Sequence, residues 1–232
     1  MISIKYREKN KLPPCVIMAG GMGKRLGKIT KSTPKPAIKI NKIPYIIYLI
    51  KWLKKNGFKK FYFLLSFEKN KLKKIITEYF NKNKNLSFKI YIDKKRSGTY
   101  GALLDHINQF EEKFFYTNGD EIGRFNIKKM YKDFLDSKTK IMSCVIKSKH
   151  GNFNLDKKKR IISENGQKKF KDCGYKFMYR KIFNKKNKKY IKVEEYLYQN
   201  YIKKNKISYF ELDDLPLRID TAYDIKRTKL KL

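Results

Sequence analysis

The feature that most constrains this chain is a regular alternation of short apolar runs with amphipathic stretches. Apolar runs such as CVIM at 15–18 are separated by segments whose apolar residues recur at helical spacing. This alternation predicts an α/β fold, because parallel strands need long crossover connections that are usually helices. The predicted strands are Cys15–Met18, Phe61–Ser66, Phe88–Ile92, Phe114–Thr117, Ile141–Ile146, Tyr175–Tyr179, Ile207–Leu212 and Leu217–Ile219. The predicted helices are Pro44–Asn56, Lys69–Phe80, Gly101–Ile107, Ile127–Leu135, Val193–Ile202 and Thr221–Leu230.

We therefore expect a Rossmann-like sheet, mostly parallel but mixed, with helices on both faces. The rhythm loosens after Lys147, where a polar stretch with turn residues predicts short strands or hairpins as a small β insertion. The 232 residues suit a single domain over 1–232. Its parts are a first half at about 12–146, a second half at about 147–220, and a closing helix at 221–230.

The chain is strongly basic, with a formal net charge of +37. Lysine accounts for 50 of the 58 basic residues and is spread along the sequence with Asn and Ile. Proteins that recognise nucleic acids usually depend on arginine for forked and stacked contacts. The pattern therefore favours the composition of an AT-rich genome over a dedicated nucleic-acid site, although the field should attract phosphates.

The cysteine content and the lengths of the apolar runs indicate in which cellular compartment the protein works. Cys15, Cys144 and Cys173 are far apart and odd in number, which predicts neither a disulfide framework nor a zinc site. The N-terminal stretch has no unbroken apolar segment, and the longest apolar run, 43–50, is too short to cross a bilayer. We expect a cytoplasmic protein without a membrane span.

The most informative segment is a glycine-rich loop directly after the first predicted strand. Gly20, Gly21 and Gly23 let backbone N–H groups approach a phosphate closely, and Arg25 follows. Lys35 stands between two prolines that should hold it in a stiff, extended segment able to return over the loop. The spacing excludes a Walker loop and the G-x-G-x-x-G dinucleotide fingerprint. It predicts an anion cradle with two cations.

Carboxylates at two predicted strand ends should face this cradle. Asp120 follows the strand FFYT and Asn118-Gly119, and Asp220 follows LRI. The carboxyl ends of parallel strands face the crevice where such folds bind ligands. Two carboxylates with phosphate oxygens suit Mg²⁺.

These motifs, in this order, resemble those of the sugar-1-phosphate nucleotidylyltransferases. That family's A-G-G-x-G-T-R-L followed by P-K-P is similar to AGGMGKRL (19–26) followed by PKP (34–36). The later matches are RSGTYGAL (96–103), FFYTNGD (114–120), DCGYKF (172–177), KVEEYL (192–197) and RIDTAYD (218–224). The ordered set covers nearly the whole chain.

The resemblance implies a GT-A-like nucleotidyltransferase fold with a nucleotide-binding first half and a sugar-binding second half. The implied reaction joins a nucleoside triphosphate to a sugar 1-phosphate, releases pyrophosphate and depends on Mg²⁺. It would make a nucleotide-sugar for surface polysaccharide or glycoconjugate synthesis. The implied catalytic residues are Arg25, Lys35 and Asp120, and the metal ligands are Asp120 and Asp220. The nucleotide-binding set is Ala19, Gly20, Gly21, Gly23, Arg25, Gly98 and Thr99, and the sugar-binding set is Gly119, Gly174 and Glu194.

Several alternatives to this interpretation are also compatible with the sequence. Tyr100 either stacks on the base or obstructs it, and Ser97 or Thr99 could simply cap a helix. Departures at Lys24, Tyr100, Glu121 and Arg218 allow a catalytically faded nucleotide-binding relative. A cytidylyltransferase with a non-sugar acceptor and a basic protein that binds nucleic acid or an anionic surface are further alternatives. The base, the sugar and a homo-oligomeric state are not fixed by the sequence.

Overall fold

The computed structural model describes residues 11–21, 23–30, 33–66, 69–93, 97–151, 153–163, 169–183 and 191–232, without the side chains of residues 24, 28 and 29. The Lys24 side chain and Arg96, which belong to two of the motifs, lie outside the described part. The strands are β1 Cys15–Met18, β2 Lys39–Ile40, β3 Ile43–Pro44, β4 Lys60–Leu65, β5 Ser87–Ile92, β6 Lys113–Asn118, β7 Glu121–Ile122, β8 Ile141–Lys147, β9 Asn154–Leu155, β10 Ile161–Ser163, β11 Phe170–Tyr179, β12 Ile207–Glu211 and β13 Leu217–Arg218. The α-helices are α1 Tyr45–Lys55, α2 Lys69–Asn81, α3 Gly98–His106, α4 Ile127–Asp136, α5 Val193–Tyr201 and α6 Ala222–Lys229. Short 3-10 segments cover Lys24–Thr30, Lys35–Ala37, Ile107–Gln109 and Arg180–Ile182.

The centre of the fold is a seven-stranded sheet in the order β12-β8-β11-β6-β1-β4-β5. Four neighbouring pairs are parallel, and β11 runs antiparallel to both of its neighbours, β6 and β8. The predicted mixed, mostly parallel sheet is confirmed. Because β11 and β12 lie in the same sheet as β1 and β6, both predicted halves of the chain share one sheet.

Strand residues alternate between two buried faces. In β1, Cys15 and Ile17 join one apolar cluster, whereas Val16 and Met18 join the other. Helices α1, α2 and α4 pack on the first face, and α3 and α5 cover the second. Burial on both faces explains why the central strands are continuous apolar runs rather than alternating ones.

Helix boundaries follow local chemistry. Helix α1 begins directly after Pro44 and ends before Gly57, whose φ of +105° suits glycine. Helix α6 begins with a capping box in which Thr221 and Asp224 satisfy each other's backbone N–H groups. This pairing gives Asp224 a capping role.

Three local features differ from the sequence expectation. Lys35 does not lie in an extended segment but begins the 3-10 turn Lys35–Ala37, because Pro34 is extended and the φ of Pro36 fits a first helical turn. Strand β11 begins at Phe170, five residues before the predicted start, and its pairing with β8 shifts register between Asp172 and Lys176. The short pairings β2–β3 and β7–β13 were not predicted.

Candidate active site at the carboxyl edge of the sheet

A cleft of about 570 Å³ opens where β1, β4 and β6 end. Its position follows from the topology, because β1 lies between β4 and β6 and is parallel to both. The residues that line it are Met18, Gly20, Gly21, Arg25, Lys35, Pro36, Leu64, Leu65, Ser66, Asp93, Gly98, Thr99, Ala102, Asn118, Asp120, Glu121, Lys171, Arg218 and Asp220. The cleft therefore brings together most of the residues proposed from the sequence for phosphate and metal binding.

The glycine loop forms one wall, and its glycines are needed for close packing. A Cβ on Gly20 would lie 2.8 Å from the Cβ of Ser66, which is too close. Gly23 has a φ of +64°, and a Cβ there would lie 3.1 Å from the Cβ of Lys35. The glycine at position 23 thus allows Lys35 to pack against the loop.

Lys35 occupies the middle of the site. Its side chain is 8% exposed, and its ammonium group contacts carboxylate oxygens of both Asp120 and Asp220. Burial alone would lower the pKa of Lys35, but the two carboxylates outweigh burial and hold the pKa above its ordinary value. Lys35 is therefore a fixed positive charge.

The two acids converge because two distant elements meet. Asp120 precedes β7 and Asp220 follows β13, and these strands pair antiparallel with Arg218 opposite Glu121. Burial alone would raise the pKa of Asp220, but its hydrogen bond with Lys35 and the charges of Lys35, Arg25 and Arg218 hold the pKa below its ordinary value. The carboxylate at 220 is therefore ionised.

Asp120 and Asp220 fit a shared divalent cation. Oxygens of both carboxylates reach one cationic atom, the Lys35 ammonium nitrogen, so both can approach a single positive centre. Mg²⁺ is commonly held by one or two carboxylates together with substrate phosphates and waters. Within the described residues no cluster of three or more His, Cys, Asp or Glu side chains has metal-binding geometry, so a cation here would depend on substrate and water oxygens.

Arg25 lies at the mouth of the cleft. Its guanidinium is 3.0 Å from Asp220 Oδ1, and its side chain is 72% exposed. An exposed ion pair of this kind contributes little to stability and is easily exchanged. Arg25 is therefore free to exchange Asp220 for an incoming anion.

Glu121 and Arg218 form an ion pair that was not predicted from the sequence. Arg218 Nε lies 3.3 Å from Glu121 Oε1, with both side chains largely buried. Burial, together with Asp120, Asp172 and Asp220, raises the pKa of Glu121 to about 8, against the opposing effect of Arg218. The pair joins residues almost a hundred positions apart, so local sequence patterns could not reveal it. The one sequence signal was that Glu121 and Arg218 both depart from the motifs of the family.

The segment around Gly98 is shaped by the residues at and just before the start of α5. Gly98 has a φ of +75°, and a Cβ there would lie 2.4 Å from the backbone oxygen of Ile191. The Thr99 hydroxyl accepts a hydrogen bond from the N–H of Val193 at 3.1 Å, so it caps α5 rather than its own helix. Gly98 and Thr99 still line the cleft.

The expectation that Tyr100 stacks on the base or obstructs it is wrong. Tyr100 is fully buried, and its ring centroid is 4.5 Å from that of Tyr196. Helix α3 turns this side chain into the core between α3 and α5, because successive helical residues point about 100° apart. Ser97, the other proposed cap, donates to Asp93 instead, through its N–H and its hydroxyl.

The proposed sugar-binding residues Gly119, Gly174 and Glu194 are not among the residues that line the described cleft. The N–H of Gly119 donates to Met18 O, and a Cβ on Gly119 would lie 3.0 Å from the Cβ of Ala19. Gly119 and Ala19 therefore serve close packing between two strand ends. Gly174 has a φ of +78°, and a Cβ there would lie 2.7 Å from Glu121 Oε2. These contacts place Gly174 directly behind a residue that lines the cleft.

Glu194 belongs to a buried charge cluster. Lys176 is fully buried and contacts Asp172 Oδ2 at 2.9 Å and Glu194 Oε1 at 3.3 Å. Burial alone would raise the pKa of Asp172, but Lys176 outweighs it and holds the pKa below its ordinary value. Asp172 also accepts a hydrogen bond from the N–H of Gly174, so the cluster fixes the irregular part of β11.

The described lining of the cleft contains equal numbers of basic and acidic residues. Four are basic and four are acidic: Arg25, Lys35, Lys171 and Arg218 against Asp93, Asp120, Glu121 and Asp220. The cleft thus offers mobile and fixed cations, backbone N–H groups and a convergent acid pair. This combination suits phosphoryl or nucleotidyl transfer, which needs positioning and charge stabilisation rather than a protein nucleophile.

Fold and site together define a nucleotidyltransferase of GT-A-like architecture. The family model described as nucleotidyl transferase matches residues 15–154, more than half of the chain, and the chain belongs to this family. It is 29% identical over 196 residues to a D-glycero-alpha-D-manno-heptose 1-phosphate guanylyltransferase of Campylobacter jejuni, which covers 81% of this chain and 86% of that protein. It is also 36% identical over 107 residues to a bifunctional protein GlmU of Methanococcus maripaludis, covering 46% of this chain but only 24% of that protein.

A solved structure shows the same fold over almost the whole chain. HddC from Yersinia pseudotuberculosis complexed with GMP-PN superimposes with a TM-score of 0.75 at 21% identity, covering 95% of this chain and 99% of that one. The predicted family, fold class and enzyme class are confirmed. In the described part of the chain, no helix combines the length and the apolar character that a membrane span requires.

Proposed function

We propose that this enzyme transfers a nucleoside monophosphate from a nucleoside triphosphate to a sugar 1-phosphate, giving a nucleotide-sugar and pyrophosphate. The observation that carries the proposal is the convergence of Asp120 and Asp220 on one cationic position beside the glycine loop. The similarity to sugar-1-phosphate transferases along most of the chain supports it.

The reaction needs no general base from the protein. A sugar phosphate is largely a dianion at neutral pH, because its second pKa is about 6. One of its oxygens forms a bond to the α-phosphorus, the bond from that phosphorus to the bridging oxygen breaks, and the electron pair leaves with pyrophosphate. This balance fits a cleft whose described lining holds no nucleophile–base pair, so that catalysis depends on positioning.

The chain's own residues supply positioning and charge. The backbone at Gly20 and Gly21 receives the triphosphate, and Arg25 leaves Asp220 to hold the departing pyrophosphate. Lys35 is fixed and buried, and it stabilises the charge that develops around the α-phosphorus. Asp120 and Asp220 would hold Mg²⁺, which when bound supplies charge neutralisation and Lewis-acid polarisation of phosphate oxygens. Gly98 and Thr99 border the nucleoside, and Gly119, Gly174 and Glu194 support the sugar side.

Guanosine and a heptose are the first substrates to test. The relative that covers most of this chain is named a heptose 1-phosphate guanylyltransferase, and the HddC structure was solved with a guanosine nucleotide analogue. We propose the same pair here, with cytoplasmic synthesis of a nucleotide-sugar for glycoconjugates as the setting. The convergent acid pair within the cleft favours this function over binding of nucleic acid or an anionic surface, which needs no such pair.

The direct test is pyrophosphate release in the presence of Mg²⁺. Each of GTP, CTP, UTP, dTTP and ATP is combined with a panel of sugar 1-phosphates that includes D-glycero-α-D-manno-heptose 1-phosphate, and with inositol 1-phosphate as a non-sugar acceptor. We expect GTP with the heptose to give the highest rate and a GDP-sugar of the calculated mass. Release of pyrophosphate only with a non-sugar acceptor, or with no pair at all, would refute the proposal.

A further inference from the structure

Arg218 is held in the cleft on a rigid support. It lies on β13 opposite Glu121, its carbonyl accepts a hydrogen bond from the Thr228 hydroxyl at 2.8 Å, and the Tyr45 hydroxyl donates to the adjacent Leu217 carbonyl at 2.7 Å. These two hydrogen bonds attach β13 to α6 and α1. The Arg218 side chain is 21% exposed, and the residue lines the cleft beside Asp220.

The hydrogen-bonding capacity of this guanidinium is largely unused. A guanidinium carries five N–H donors, and within the described residues Arg218 pairs with a single carboxylate, Glu121. Arg218 Nε and Glu121 Oε2 are both buried without a hydrogen-bond partner there, even though the two side chains are in ionic contact. The terminal nitrogens of Arg218 likewise have no hydrogen-bond partner among the described residues, and because the residue lines the cleft they can donate to an anion that enters it.

The position of Arg218 in the cleft favours binding of the acceptor substrate over binding of the nucleotide. The glycine loop and Arg25 form the triphosphate side, whereas Glu121 is backed by Gly174 on β11. A Cβ on Gly174 would also lie 3.0 Å from Asn118 Nδ2, so this corner is built by β6, β7, β11 and β13. Lys171, also on β11, is the second cation at this end.

We propose that Arg218 binds the phosphate of the acceptor sugar 1-phosphate through its terminal nitrogens, with Glu121 fixing the guanidinium from its Nε side. This inference rests on the proposed function, because it takes the acceptor to be a phosphate monoester. It assigns a binding role to a residue that otherwise counts only as a departure from the family pattern.

Steady-state kinetics with each substrate varied in turn test the assignment. For Arg218→Ala we expect the KM for the acceptor to rise about ten- to hundredfold, the range expected for lost charge-assisted hydrogen bonds. The KM for the nucleoside triphosphate should stay within about twofold. Arg218→Lys should give a smaller, several-fold rise, because a lysine keeps the charge but loses the planar fork.

Arg124→Ala is the matched control, since it removes a guanidinium outside the cleft, and its acceptor KM should equal that of the wild type. An unchanged acceptor KM in both Arg218 variants, or a rise confined to the nucleotide KM, would overturn the assignment. If Arg218→Ala does not fold, Arg218→Lys decides in the same way. Wild-type protein without activity toward any pair would instead count against the proposed function itself.

Discussion

Replacing Lys35 with alanine tests the organisation of the site most directly. The change removes a buried ammonium that touches two carboxylates whose side chains are 25% and 18% exposed. A hydrogen bond to a charged group is worth about 1.5–3 kcal/mol, and partial exposure lets water replace some of it. We expect a loss of about 2–3 kcal/mol, or about 4–12 °C in Tm for a chain of this length.

The same variant should become responsive to Mg²⁺ in the absence of substrate. Without Lys35, Asp120 and Asp220 face each other with no buried cation between them, so a divalent ion should bind more tightly than in the wild type. Ligand at about 100 times its Kd stabilises a protein by about 2.7 kcal/mol, which is enough to restore most of the loss. Lys35→Ala should therefore show a larger Mg²⁺-dependent rise in Tm than the wild type.

The assay is thermal unfolding with MgCl₂ or with EDTA, accompanied by pyrophosphate release. The exposed Lys39 provides the control, since Lys39→Ala removes a lysine charge from a site outside the cleft and should change neither readout. Turnover by Lys35→Ala should fall by about 10²–10³, the usual cost of losing one preorganised charge donor. A variant as stable as the wild type without Mg²⁺, indifferent to Mg²⁺ and active within about tenfold would refute this account of the site.

Three further predictions concern single side chains. Asp120→Asn should abolish pyrophosphate release while circular dichroism and Tm show a retained fold; full activity would remove Asp120 from the site. Gly174→Ala should lower Tm by several degrees, because its φ is +78° and the new Cβ would lie 2.7 Å from Glu121 Oε2. Gly21→Ala is the control and should leave Tm unchanged, because a Cβ at position 21 would meet nothing within 4 Å. Equal Tm values for the two variants would contradict the argument. The carboxyl of Asp172 has a folded pKa below its ordinary 3.8, so its stabilisation is present above that value and lost as pH falls through the folded pKa. The Tm gap between wild type and Asp172→Asn should therefore be constant above about pH 5 and narrow below about pH 4 in acid-unfolding measurements; a gap that widens would reverse the sign.

Much of the fold could be predicted because the determining signals are local. The apolar run at 15–18 followed by glycines, and the helix between Pro44 and Gly57, need only a few neighbouring residues to be recognised. The convergence of Asp120 and Asp220 could be anticipated as well, because strand ends in such sheets share one edge.

The remainder depends on tertiary pairing that no local pattern encodes. Lys176 is fully buried, because β11 lies between β8 and β6 inside the sheet and Asp172 and Glu194 offset its charge. Glu121 meets Arg218 only through the two-residue pairing of β7 with β13. Tyr100 could not be assigned to core or cleft without the orientation of α3, which depends on packing against α5.

The overall charge and the charge of the cleft require different explanations. The chain carries +37, yet the described lining of the cleft contains four basic and four acidic residues. Surface lysines act over about one Debye length, roughly 8 Å at physiological ionic strength, so they raise encounter rates with anions but do not define the site. Inside the cleft, Lys35 and Arg25 already neutralise Asp120 and Asp220. In the proposed reaction these cations would turn to substrate phosphates, the two carboxylates would lose their counter-charge, and a divalent cation would restore it. Nucleotide and metal should therefore bind more tightly together than either does alone, because each satisfies the charges that the other leaves unpaired.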